Sequence, residues 1–168
     1  MATNLDRYKQ DLERLIADGE QLRFALIHLA YGEEFESIMT KQHFKGDKDK
    51  AKEFLKKLPD FKSAYQPWYS ECLALIKQLL PERLDDFKRL YEKPKGRKEL
   101  GFENYRIEDA LQGLQVSRYG EVRADTKSAL PHMEQQLAIV TAIKKRFESS
   151  LFEIKQLVQA DVFDSELD

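Results

Sequence analysis

Cysteine is almost missing from this sequence. Cys72 is the only one, so there is no internal disulfide framework and no multi-cysteine zinc site. That usage fits a reducing, cytoplasmic setting. Histidine is nearly as scarce, at three residues, and no Glu-x-x-His pair exists, which excludes a carboxylate-bridged di-iron bundle. A phosphate-cradling glycine loop, HExxH and GxSxG are all lacking, and with them the enzyme classes they mark. No metal or other cofactor is expected. No apolar run approaches the roughly 20 residues of a membrane span, and the opening MATNLDRYKQDLERL lacks the apolar core of a signal peptide. An excess of one charge is lacking too. The net charge of −2 argues against a globally basic nucleic-acid binder and leaves only local patches.

What is present is helical periodicity. The 168 residues, 42% hydrophobic and 35% charged, fit one domain with one core. Leu5, Tyr8, Leu12, Leu15, Ile16, Leu22, Leu26 and Leu29 form one apolar stripe, with Asn4 as cap, Gly32 as stop and Gly19 as a weakening or bending point. A short helix is expected over 33–44. Another starts at Asp47 or Asp49 and ends at Pro59. Pro67 either begins the next helix or kinks a longer one, with Tyr69, Leu73, Ile76 and Leu80 on its apolar side. Leu84, Phe87 and Tyr91 follow Pro81. The segment EKPKGRKELGF reads as a loop, NYRIEDALQGL as a helix capped by Asn104, and 117–130 as a connection with a small hairpin around Gly120. A last long helix opens at Pro131 and carries Leu137, Val140, Phe147, Leu151, Ile154 and Val158. With no long strand pattern, the expectation is a single all-α domain over 1–168: a helical bundle with long N- and C-terminal helices packed antiparallel and shorter helices between.

Several residue groups bear on function. The loop Lys93, Lys95, Arg97 and Lys98, with Tyr91, Phe102, Tyr105 and Arg106 nearby, mixes cations and aromatics as nucleic-acid sites do, though an ordinary solvated loop has the same composition. Lys45, Lys48, Lys50, Lys52, Lys56 and Lys57 are interrupted by Asp47, Asp49 and Glu53, which suits i,i+4 pairing on a solvated helix. Tyr65, Trp68 and Tyr69 read as core, and Cys72 as a buried inert thiol. In RFALIH, Arg23 and His28 have the bare arginine–histidine spacing of HEPN-type ribonucleases. Five residues along a helix set them roughly 140° apart, so a core or boundary histidine is the expectation and no catalytic residue is assigned.

The segments WYSECLALIKQLLPERLDDFKRLYEKPKGRKELGFENYRIEDALQGL and RFESSLFEIKQLVQADVFDSELD resemble the N-terminal half of a family of uncharacterised bacterial proteins. The likeness spans about residues 55–168. In that family the counterpart of DSELD leads into another helix and then a C-terminal HEPN-like domain with an Arg-Asn-x-x-x-His motif. No position here matches that motif. The helix-start signature at Asp164 and Ser165 agrees with a chain that is the N-terminal part of a longer protein.

The resemblance implies a non-catalytic helical module for interaction, sensing or dimerisation, in a class that includes toxin and phage-defence ribonucleases. Its expected partner is a second copy or the C-terminal domain, through exposed apolar residues such as Val162 and Phe163 on the last helix. Two alternatives stand beside it. One is RNA or phosphate binding at Lys93, Lys95, Arg97, Lys98, Tyr105 and Arg106. The other is a ribonuclease using Arg23 and His28.

Overall fold

In a computed structural model the described residues are 4–167, with side chains described for 6–149. The first apolar stripe forms α1 (Asn4–Tyr31). It ends where the Gly32 amide donates to the His28 carbonyl. Next come α2 (Glu33–Ile38), a π-helical turn over Met39–His43 and α3 (Lys48–Lys57). Of the two candidate caps for α3 it is Asp47 that accepts from the Lys50 amide. α3 stops at Leu58, which is extended, as a residue before proline prefers.

α4 (Phe61–Leu79) settles the place of Pro67. The helix starts at Asp60, whose carboxylate accepts the Ser63 amide, so Pro67 lies inside it. The ring is on the exposed side, and the single intrahelical bond it removes, to the Ser63 carbonyl, is on that side too. A 3-10 turn at Pro81–Arg83 leads into α5 (Leu84–Tyr91). The loop that follows contains a 3-10 turn at Phe102–Asn104, and α6 (Ile107–Leu111) is shorter than the sequence suggests. Asn104 does not cap α6. Its Oδ1 accepts the Gly101 amide of the preceding turn, while Asp109 accepts the Arg106 amide at the start of α6.

β1 (Val116–Arg118) and β2 (Glu121–Ala124) form an antiparallel hairpin turned by Tyr119 and Gly120. Arg118 faces Glu121, and Arg123 is the extra residue of a bulge between the Ser117–Val122 and Val116–Ala124 pairs. A 3-10 turn (Thr126–Ala129) leads into α7 (Leu130–Leu167).

α1 and α7 run antiparallel along one another. Tyr8 stacks edge-on with Phe147, Glu13 pairs with Lys144, Gly19 meets Leu137, and Lys127 just before α7 lies over Tyr31. The chain is therefore an all-α bundle with its terminal helices paired and shorter helices between. α4 completes the core: Leu12, Leu15 and Leu26 of α1, Tyr65, Trp68 and Ile76 of α4, and Met133, Val140 and Ile143 of α7 are all buried. Gly19 explains how closely the three approach. A Cβ there would lie 2.6 Å from Leu137 Cδ1 and 3.0 Å from Trp68 Cζ2. It is a close contact point within a continuous helix. The Trp68 indole donates to the Leu15 carbonyl at 2.8 Å, joining α4 to α1. Gln136 sits at the centre, accepting from Tyr65 Oη at 2.7 Å and donating to the Phe87 carbonyl at 3.1 Å.

Candidate functional site

The basic loop after α5 is divided by the fold into groups that build the domain and groups that face solvent. Arg97 belongs to the first kind. Its guanidinium makes two parallel bonds to the Asp109 carboxylate, at 2.7 and 2.8 Å, and a third to the Asn104 carbonyl. Arg97 is 12% exposed and Asp109 1%. Burial on its own would raise the Asp109 carboxyl, but the Arg97 guanidinium and the Arg106 amide outweigh it and hold the group below its ordinary value. Arg106 is likewise spent on backbone, donating to the carbonyls of Arg89, Glu103 and Tyr105. Tyr105 is fully buried and donates to the Leu114 carbonyl. Burial pushes its hydroxyl up to about 12, and its ring has no free face for a base. Of the six residues singled out in this loop, Lys93, Lys95 and Lys98 remain exposed, without a salt-bridge partner among the described residues.

The locked loop and the hairpin together make an exposed aromatic surface. Phe102 is 63% exposed, Val122 52% and Tyr119 99%. An open cleft of about 440 Å³ lies between Phe102 and the hairpin, lined by Phe102, Val116, Arg118, Tyr119 and Arg123 among others, while Val122, paired with Ser117, is on the hairpin's other face. Arg118 reaches across to Glu99 at 3.0 Å, tying hairpin to loop. The hairpin turn places both Tyr119 (φ 54°) and Gly120 (φ 78°) in the left-handed region, as a type I′ turn requires. Glycine and asparagine adopt that conformation readily, and tyrosine does so at a cost. Its ring nevertheless contacts almost nothing within the chain. The sequence showed this site only in part: a hairpin around Gly120 was legible, but not that its tip would stand beside Phe102.

Elsewhere the candidate groups are occupied. Arg23 donates to Glu20 at 3.1 Å, and His28 Nε2 bonds Glu36 Oε1 at 2.9 Å. The two side chains thus engage different carboxylates from one continuous helix. Tyr65, Trp68 and Tyr69 pack with Phe87 and Tyr91 as an aromatic core. Cys72 is buried, and burial raises its thiol far above the range in which a thiolate forms. Among the described residues no group of three or more potential ligands could hold a metal ion, and no helix is long and apolar enough to cross a membrane. Leu151, Ile154, Val158, Val162 and Phe163 lie outside the residues whose side chains are described. Comparison with known proteins finds no matching family model, no matching curated protein and no matching solved structure.

Proposed function

We propose that this chain is a non-catalytic helical interaction module, and that its contact surface is the hairpin end carrying Tyr119, Phe102 and Val122. One observation carries the reading. Tyr119 occupies a strained left-handed position, almost wholly exposed, on a hairpin braced by the Arg118–Glu99 pair. Strain held at an exposed aromatic tip does nothing for the fold and suits a binding residue. A second copy of the chain is the partner this geometry favours. A two-stranded sheet leaves its edges unpaired within the sheet, and edge pairing about a twofold axis would cover one edge of each copy. Within the bacterial family that the sequence resembles, such a module would dimerise the protein that carries the HEPN-like domain. In that setting it belongs to the cytoplasm.

Sedimentation velocity of the chain and of its Tyr119→Asn variant tests this. The native chain is expected to self-associate, with at least tenfold weaker association in the variant at unchanged helix content. Equal association of both, or none by the native chain, defeats the reading. A second reading, nucleic-acid contact by the loop, retains support only from Lys93, Lys95 and Lys98, the three cations left exposed there. Nothing observed favours a ribonuclease built on Arg23 and His28, since each side chain is held by its own carboxylate.

A further inference from the structure

α3 carries two kinds of lysine. Lys50 and Lys57 turn to the side of Asp47 and Glu53 and pair with them, at 3.9 and 3.0 Å. Lys48, Lys52 and Lys56 follow one another at intervals of four residues. Each step advances about 6 Å along the axis and turns about 40°, so the three make one stripe on a different face. All three are exposed and have no salt-bridge partner among the described residues. Across residues 41–57 seven lysines stand against three carboxylates, a local excess of four positive charges in a chain of net charge −2.

The stripe is one wall of a cleft of about 520 Å³ whose other wall holds His28, Glu36 and Thr40. The Thr40 hydroxyl is already donated to the Glu36 carbonyl, and His28 fixes the Glu36 carboxylate from the side. The cleft therefore offers a row of point cations with one oriented hydrogen-bond acceptor beside it. A row of evenly spaced ammonium groups matches a chain of repeated anions better than a single anion. The Glu36 carboxylate repels any anion placed against it, so it suits a chain that presents hydroxyl or N–H donors between its charges. The volume is that of a small-ligand pocket, so a single strand would lie along its open mouth, and a duplex does not fit.

We propose that this cleft binds single-stranded nucleic acid, with the backbone phosphates on Lys48, Lys52 and Lys56 and a sugar hydroxyl or base N–H donating to Glu36. The site is separate from the hairpin end, so either can fail without the other. Fluorescence anisotropy with labelled oligouridylate and oligodeoxyuridylate tests it. Three phosphate contacts predict a log–log salt slope of about −2, or roughly 20-fold weaker binding between about 50 and 200 mM salt. The combined Lys48→Ala, Lys52→Ala, Lys56→Ala variant should bind at least tenfold more weakly with a flatter slope. Lys50→Ala with Lys57→Ala, and Lys93→Ala with Lys95→Ala and Lys98→Ala, should bind as the native chain does. All these lysines are exposed, and circular dichroism confirms that each variant is folded. The inference is overturned if the α3 triple variant binds normally, if the native chain binds neither oligonucleotide, or if polyglutamate competes as well as an oligonucleotide. Stronger binding of oligouridylate than of oligodeoxyuridylate, which differ in the 2′-hydroxyl alone, would assign the Glu36 contact to that hydroxyl.

Discussion

Asp109 does two jobs with one carboxylate. It accepts both prongs of Arg97 and caps the start of α6 through the Arg106 amide. Removing one partner of so buried a pair strands the other charge, so Asp109→Asn should lower stability by about 3 kcal/mol at neutral pH, read from urea midpoints. The folded carboxyl titrates below the unfolded one, so the folded state binds fewer protons. The stabilisation is complete above the unfolded value of about 3.9 and drains away as pH falls through the lower folded value. The gap between native chain and variant should therefore close below about pH 4. A gap unchanged at that pH would mean that the carboxylate's charge is not what Asn lacks. Two neighbouring tyrosines predict opposite signs. Tyr65→Phe orphans Gln136 Oε1 and should cost about 1–2 kcal/mol. The Tyr69 hydroxyl is buried with no hydrogen-bond partner among the described residues, so Tyr69→Phe should be neutral or stabilising by up to about 1 kcal/mol. Thermal unfolding of both variants checks the pair.

At the scale of elements, the 3.6-residue period and the caps made most helices readable. The stripe of α1, its end before Gly32 and a start for α3 at Asp47 or Asp49 follow from side-chain type and spacing, and the structure selects Asp47. What could not be read depended on distant partners. Arg97 looked like a loop cation because Asp109, its partner, lies 12 residues away. The lysines of α3 looked uniformly paired, since the sequence does not show that Asp47 and Glu53 take Lys50 and Lys57 and leave Lys48, Lys52 and Lys56 along the cleft. Pro67 sits inside α4 because Asp60 starts that helix earlier than the proline suggests. At the hairpin turn a single substitution should raise stability. Tyr119→Asn replaces a residue that resists positive φ with one that accepts it. The variant should gain up to about 1 kcal/mol in stability, visible as a raised melting temperature. A loss of stability would show that the Tyr119 ring serves the fold after all.

The whole molecule is a three-helix core of α1, α4 and α7, with its chemistry kept to the periphery. Buried polar groups such as Gln136 and Asp109 serve packing, and the thiol of Cys72 is sealed. The exposed features of interest are the aromatic hairpin end and the cationic face of α3. On the reading proposed above, the hairpin end is an interface between two copies of the chain. Hydrogen–deuterium exchange across a dilution series tests it most directly. On raising the concentration, protection should appear in amides of residues 116–124 and 99–104 and leave α3 unchanged. Protection confined to other segments, or exchange at the hairpin that does not depend on concentration, would contradict it.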